Sequence, residues 1–141
     1  MRPFPFKQHG FNLLELLVVL VIIGLLVSVV APRYFGQVGK SEIKTARAQI
    51  NALEKALDQY RLDVGRYPAT EEGLAALNAA PASGNPRWQG PYLKKAAPPD
   101  PWGQPYQYRA PGEHGDFDLY SWGTDGKPGG DAEAADIGNW Q

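Results

Sequence analysis

The sequence contains no cysteine, so no disulfide bond can stabilise the fold. Histidine is also scarce, with only His9 and His114 in 141 residues. There is no glycine-rich phosphate loop and no Ser-His-Asp arrangement, so we do not expect an enzyme. The formal net charge of −1 is spread without a basic patch, which argues against nucleic acid as a partner.

Long apolar runs are absent except for one near the N-terminus. Leu16 to Ala31 is interrupted only by Gly24 and Ser28. The wider stretch Phe11–Ala31 has 21 residues, which as a helix would span about 30 Å, the thickness of a bilayer core. This length predicts a membrane-spanning helix at residues 11–31.

The ten residues ahead of this run form a short basic leader. Arg2 and Lys7 lie in Met1–Gly10, and no acid accompanies them. Basic residues before a first span hold that end in the cytoplasm. We therefore expect the rest of the chain, residues 32–141, to be exported as one small domain.

A secretory signal peptide is the first alternative to this interpretation. Its apolar region should run for about 7–15 residues and end in a small-residue cleavage site. The run here is longer, and its best cleavage site, Val29-Val30-Ala31, is followed by Pro32, which would block cleavage. A plain single-span anchor carrying a binding domain is the second alternative.

Glu15 fits neither alternative, because it places a carboxylate at the start of the apolar run. In hydrocarbon, such a group costs a few kcal/mol, by order of magnitude, unless it finds a partner. The helix offers no partner within its own apolar stretch. The sequence therefore predicts that the partner comes from another molecule and that the chain assembles.

The segment Gly10-Phe11-Asn12-Leu13-Leu14-Glu15 resembles the processing site of type IV pilins and pseudopilins. The resemblance implies that a prepilin peptidase cuts between Gly10 and Phe11 and methylates the new terminal Phe11. It also implies that Glu15 meets the terminal amine of a neighbouring subunit in a filament. Asn12 departs from the threonine or serine usual at its position but keeps a hydrogen-bonding side chain.

A second helical pattern follows the span. Six apolar residues recur at spacings of three and four and predict one buried stripe that packs on a sheet. Gly65 and Pro68 are expected to end this helix. Between the two patterns, Pro32, Gly36 and Gly39 predict a soft stretch, which can be a simple break between anchor and domain. The resemblance to pilins implies instead that the segment between Gly24 and Pro32 extends on assembly. The stripe consists of Ile43, Ala46, Ile50, Leu53, Leu57 and Tyr60.

Proline and glycine are concentrated after Tyr67 and predict a loop-rich half. We expect a short helix capped by Thr70, then a loop whose Trp88 and Tyr92 fold back on the core. Alternating residues at 106–109 and 117–120 predict a hairpin, and a third strand is expected at 137–140. His114, at the hairpin tip, is expected to be solvated.

The glycine-rich segment from Ser121 to Asp131 has no apolar pattern that could hold it by packing. Hard oxygen ligands on a bent backbone suit Ca²⁺, although the spacing does not match an EF-hand. On composition alone, a solvated acidic loop is the more common case. Four acids lie within or just after the segment: Asp125, Asp131, Glu133 and Asp136.

Three C-terminal motifs resemble those of the major pseudopilins of type II secretion systems: Asp100-Pro101-Trp102-Gly103, Tyr120 to Gly126 and Asp136 to Trp140. In that family the loop binds one Ca²⁺. Carried over by position, the resemblance implies side-chain ligands from Asp125 and Asp136 and main-chain ligands from Trp122 and Lys127. Ala135 stands where some relatives have an aspartate, so Asp131 or a water would fill the remaining place.

Together these features predict an α+β fold: a long N-terminal helix, half membrane-spanning and half amphipathic, packed on a small antiparallel sheet with a calcium-stabilised C-terminal loop. The resemblance implies an inner-membrane precursor that polymerises into a periplasmic pseudopilus and drives export of folded proteins across the outer membrane. It implies minor pseudopilins and an inner-membrane assembly platform as partners. A minor pseudopilin or a type IV pilin subunit is the alternative within this class.

Overall fold

A computed structural model describes residues 10–141 of the chain. The chain divides into two compact units between Val38 and Gly39. Its principal element is helix α1, Leu13–Val64, followed by three short strands, β1 at Gln107–Arg109, β2 at Asp118–Ser121 and β3 at Ile137–Gly138. Short 3₁₀ helices lie at Leu74–Leu77, Gly123–Asp125 and Ala132–Ala134. The predicted fold class, a long helix with a small antiparallel sheet, is confirmed.

Helix α1 continues through Pro32, so the stretch predicted to be soft is helical in this structure. The amphipathic pattern beyond it is confirmed. Ile43 is partly buried, and the other five residues of the stripe are buried and form the spine of the core. Apolar side chains at this spacing lie on one face of the helix, so they can be buried together in the core.

The helix ends where the sequence indicates. Gly65 has a φ of +89°, the left-handed conformation that glycine adopts without a steric penalty. Its N–H donates to the Arg61 carbonyl at 2.8 Å, which satisfies one of the last helical carbonyls. Pro68, fully buried, follows three residues later.

The prediction of a short helix capped by Thr70 is wrong both in the type of helix and in the role of Thr70. Residues 70–73 form turns, and only the 3₁₀ helix Leu74–Leu77 follows, without a side-chain cap. The Thr70 hydroxyl instead donates to the Ala110 carbonyl and accepts from the Ala110 N–H, both at 3.0 Å. Two long-range hydrogen bonds thus replace the local one that an N-cap would make.

The hairpin and the third strand are confirmed as one antiparallel sheet in the order β1-β2-β3. Tyr108 is paired with Leu119, and Ser121 with Ile137. Asn139 extends the edge beyond β3, because its side chain accepts from the Leu119 N–H and donates to the Phe117 carbonyl. The buried residues of the sheet pack on the α1 stripe.

Two aromatic predictions in the loops have different outcomes. Trp88 and Tyr92 do fold back, since the Trp88 indole donates to the Ala76 carbonyl and Tyr92 meets Tyr60 edge to face. His114 is not simply solvated. Its ring stacks on Trp140 with centroids 4.0 Å apart and lies 3.2 Å from the Asp118 carboxylate.

Candidate processing, assembly and calcium sites

The predicted processing site lies at the start of helix α1. Gly10 is in coil, and Phe11 is 89 % exposed, so the bond between them is accessible. Asn12 caps the helix: its side-chain oxygen accepts from the Leu14 N–H at 3.3 Å, and its carbonyl accepts from the Leu16 N–H at 3.2 Å. The leader at residues 1–9 lies outside the described residues.

Glu15 lies in the first turn of α1, where the positive end of the helix dipole favours an acid. The side chain is exposed, and within residues 10–141 no Lys, Arg or His forms an ion pair with it. The side-chain oxygen of the neighbouring Asn12 accepts a hydrogen bond from the Leu14 N–H. Glu15 is thus a carboxylate that residues 10–141 of the subunit leave without a counter-charge.

The apolar half of α1 is exposed along its length. From Leu13 to Val30 the large apolar side chains are 45–85 % exposed. By length and composition, this stretch can cross a membrane. An apolar surface of this extent is typical of contact with lipid or with other protein chains.

The C-terminal loop is a compact bent segment. At Gly130, φ is +97°, and a Cβ there would clash with the Ala134 carbonyl oxygen. At Gly123, φ is +70°, and a Cβ would lie 2.8 Å from the Ala135 carbonyl oxygen. Both glycines are needed because the two halves of the loop approach each other through their backbones.

Asp136 links the two halves of this loop. One carboxylate oxygen, Oδ2, accepts from the Gly129 N–H at 3.0 Å. The other, Oδ1, is buried and has no hydrogen-bond partner among the described residues. Leaving a buried carboxylate oxygen unpaired is unfavourable, so a water or a cation is needed to satisfy that oxygen. A hard cation is a group that fits a bare carboxylate oxygen in a loop rich in main-chain carbonyls.

The other predicted ligands are arranged differently. Asp125 is exposed, and its Oδ1 accepts from the Lys127 N–H at 3.1 Å in a tight turn. Trp122 is half-buried, and Lys127 and Asp131 are exposed. In the described part of the chain, no three acidic or histidine side chains converge as a metal cluster. A site here would therefore depend on two carboxylates with main-chain carbonyls, as the resemblance implies.

Glu133, one of the four acids counted in the sequence, lies against helix α1. A Cβ on Gly39 would overlap the Glu133 carboxyl group. Because Gly39 lacks a side chain, that carboxyl group can rest directly on the helix backbone. This position explains why Gly39, in a largely exposed part of α1, is buried.

Asp100 is a residue whose role the sequence analysis missed. It is only 3 % exposed, and its Oδ1 accepts from the N–H groups of Trp102 and Gln104. Its Oδ2 accepts from the Ser121 hydroxyl, whose oxygen in turn accepts from the Gly123 N–H at 3.1 Å. Asp100 thus fixes the start of the C-terminal loop. The Asp-Pro-Trp-Gly turn was the available signal, since aspartate favours such turns.

The chain is similar to known proteins along most of its length. The family model for "Type II secretion system (T2SS), protein G" matches residues 33–140, and that for the "Prokaryotic N-terminal methylation motif" matches residues 5–31. A type II secretion system core protein G of Pseudomonas aeruginosa is 49 % identical over 138 residues, covering 95 % of this chain and 96 % of the relative. One from Vibrio cholerae is 48 % identical over 136 residues, covering 95 % and 92 %.

A solved structure is similar as well. The crystal structure of the major pseudopilin from the type 2 secretion system of enterohaemorrhagic Escherichia coli superposes with a TM-score of 0.63 at 43 % identity. The match covers 75 % of this chain and 92 % of that one.

Proposed function

The chain belongs to the type II secretion system protein G family, and we propose on that basis that it is the major structural subunit of a pseudopilus. The observation that carries the proposal is the exposed apolar half of α1, which bears one acid, Glu15, without a counter-charge among the described residues. Such a surface is completed by further copies of the same chain. A head-to-tail contact that does not close generates a helical filament.

Processing by a prepilin peptidase creates the missing counter-charge. The methylation motif at residues 5–31 includes the Gly10–Phe11 bond, which is exposed ahead of the helix. Cleavage there turns the Phe11 nitrogen into a terminal amine, which remains basic after N-methylation. Glu15 and this ammonium group of a neighbouring subunit each need a partner in an apolar surrounding, and pairing satisfies both.

The Glu15→Ala variant tests this assignment. We expect it to insert into the membrane and to lose the leader as the wild type does, because Gly10 and Phe11 are unchanged. Filament yield should fall sharply, since the ammonium group is then buried without a carboxylate. Mass spectrometry of the N-terminus reports processing, and electron microscopy of sheared filaments reports assembly.

Glu71→Ala is the matched control, because it removes an exposed acid outside helix α1. Its filaments should be as abundant as those of the wild type. Filaments of normal yield from Glu15→Ala would rule out the pairing of Glu15 with the terminal amine.

We also propose a cellular setting for the chain. We place the precursor in the inner membrane with its leader in the cytoplasm and residues 32–141 in the periplasm, because the apolar half of α1 can span a bilayer. The assembled filament would work with minor pseudopilins and an inner-membrane assembly platform. No catalytic role is assigned to any residue.

The C-terminal loop is proposed to bind one Ca²⁺. Asp125 and Asp136 would supply carboxylate oxygens, Trp122 and Lys127 main-chain carbonyls, and Asp131 or water a further oxygen. The unpaired, buried Oδ1 of Asp136 supports this assignment, as does the lack of disulfides. When bound, the ion would crosslink two ends of a loop that has few apolar contacts of its own.

A further inference from the structure

Tyr34 and Phe35 form an exposed aromatic pair on helix α1, just beyond the predicted span. Tyr34 is 66 % and Phe35 70 % exposed. Their ring centroids are 6.3 Å apart, and the ring planes meet at 77°, edge to face. Aromatic rings carry a large apolar area, so rings left this exposed in the subunit are suited to a partner outside it.

We propose that Tyr34 and Phe35, with Arg33, anchor the helix in the headgroup region of the outer leaflet of the membrane. The proposal rests on the proposed function as a membrane-resident precursor. It adds a lipid contact that fixes the depth of the helix before assembly.

The position of the pair along the helix supports a lipid interface. Tyr34 is 21 residues beyond Leu13, the first residue of α1, so the two are separated by about 32 Å at 1.5 Å per residue. A bilayer core is about 30 Å thick. If the start of α1 lies at the inner boundary of the hydrocarbon, Tyr34 and Phe35 lie at the outer one.

The direction of the side chains agrees with this position. In an α-helix the Cα–Cβ bonds tilt toward the N-terminus, so the rings lean back over the apolar span. Consecutive residues are rotated by about 100°, and the two rings therefore cover adjacent faces of the helix. A pair with this orientation covers two adjacent faces of the helix at the boundary of the span.

The chemistry of Tyr34 and Arg33 matches the headgroup region and not the hydrocarbon. Tyrosine is enriched at membrane interfaces because its ring is apolar and its hydroxyl is polar. The exposed Arg33 guanidinium can bond a lipid phosphate with two parallel N–H groups. Polar residues begin soon afterwards, with Gln37, Lys40 and Ser41.

Tryptophan quenching by brominated lipids tests the proposal on the full chain in phosphatidylcholine vesicles at low protein density. The four native tryptophans all lie in the unit Gly39–Gln141, so the wild type provides the baseline. Tyr34→Trp and Phe35→Trp keep an interfacial aromatic ring in place. We expect added quenching from lipids brominated near the headgroup and less from lipids brominated near the chain end. Quenching at the baseline, or stronger quenching by the deep bromines, would overturn the proposal.

Val21→Trp separates failure of the anchor from failure of the membrane assignment. This position is in the middle of the span, and deep bromines should quench its tryptophan most. If the Val21→Trp variant is also quenched only at the baseline, the helix is not in the bilayer and the membrane-resident precursor fails. If Val21→Trp reports a deep position while Tyr34→Trp and Phe35→Trp stay at the baseline, the span stands and the anchor is overturned, because the aromatic pair then faces water or another copy.

A second comparison tests whether the pair holds the helix in place. Ala31→Trp reports the depth of the last turn of the span, with Tyr34 and Phe35 intact or both changed to alanine. We expect the ratio of shallow to deep quenching at position 31 to change when the rings are removed. An unchanged ratio would overturn the anchoring role, because the rings would then lie near the interface without setting the depth of the helix.

Discussion

Tyr60 and Tyr106 are both buried in the core, but their hydroxyl groups are in different situations. The Tyr106 hydroxyl donates to the Gln49 side-chain oxygen. The Tyr60 hydroxyl has no hydrogen-bond partner among the described residues, although the residue is completely buried. Burial raises the pKa of both phenols, so both are neutral at physiological pH. The difference between them is therefore one of hydrogen bonding.

Tyr60→Phe is expected to leave the protein as stable as the wild type or about 1 kcal/mol more stable. Removing an unpaired buried hydroxyl relieves a desolvation penalty of about 1–3 kcal/mol, while the ring keeps its packing against Tyr92. Tyr106→Phe, the matched control, should lose about 1 kcal/mol because its hydrogen bond disappears. Urea unfolding followed by tryptophan fluorescence measures both. A Tyr60→Phe variant less stable than Tyr106→Phe would contradict the unpaired state of Tyr60.

At the scale of elements, the turn after helix α1 is held by an ion pair. Arg66 bonds the Glu72 carboxylate with both terminal nitrogens, at 2.7 and 2.8 Å, and the Ala69 N–H donates to the same carboxylate at 2.7 Å. The Arg66 hydrogen bond is the main reason that the pKa of Glu72 falls to about 2. This turn also positions the 3₁₀ helix Leu74–Leu77, which contributes Leu77 to the core.

The stability that Glu72 contributes should depend on pH. Because its pKa is lower in the folded state, the contribution is fully present above its ordinary pKa of 4.5 and is lost as the pH falls toward about 2. Glu72→Gln should therefore lower the melting temperature at pH 7, and the difference from the wild type should shrink as the pH falls through this window.

Glu71→Gln is the control for this prediction, since it removes the same charge from an exposed neighbour. Its melting temperature should stay near that of the wild type at every pH. A Glu72→Gln variant whose deficit is constant from pH 7 to about pH 2 would show that the carboxylate charge does not hold the turn.

Elements with a long repeating pattern were predictable from the sequence, and those set by distant partners were not. The stripe from Ala46 to Tyr60 repeats over four turns of α1, so its burial followed from periodicity alone. The role of Thr70 depends on Ala110, forty residues away. The stacking of His114 depends likewise on Trp140. Local pattern carries no information on such contacts until the topology is known.

The same limit applies to the candidate sites. Gly10, Phe11 and Glu15 could be proposed from adjacent residues because their arrangement is local. The acids of the loop could be named from the sequence, but the surroundings of each one could not be predicted. Asp136 has one buried, unpaired oxygen, Glu133 rests on Gly39, and Asp125 is exposed. These differences arise from the way the glycines fold the loop back on itself.

For the molecule as a whole, the unit Gly39–Gln141 contains no cysteine, so no disulfide bond stabilises it. Its C-terminal segment is joined to the rest by the hydrogen bond between Asp100 and Ser121, by the hydrogen bonds of Asn139 and by strand β3, which has only two residues. An ion that binds only the folded loop stabilises it by about 2.7 kcal/mol at a hundredfold excess over its Kd. This is comparable to the contribution of one disulfide, about 2–4 kcal/mol.

Calcium should therefore raise the melting temperature of the protein, and the increase should depend on Asp125 and Asp136. We expect a shift of several degrees, of the order that about 2–3 kcal/mol produces in a domain of this size, between excess EDTA and millimolar calcium. The full chain in detergent is suitable, because all four tryptophans report on the unit Gly39–Gln141. Asp125→Ala and Asp136→Ala should abolish the shift.

Glu133→Ala is the control that separates a metal site from a general effect of acidic charge, because Glu133 lies in the same loop but rests on Gly39. This variant should keep the calcium shift. Magnesium at the same concentration should give a smaller shift, since it requires tighter octahedral geometry and dehydrates reluctantly. If calcium shifts all three variants as it shifts the wild type, the ion acts on the surface at large. The unpaired oxygen of Asp136 would then be satisfied by water, and the loop would be held by the contacts of the protein without a metal ion.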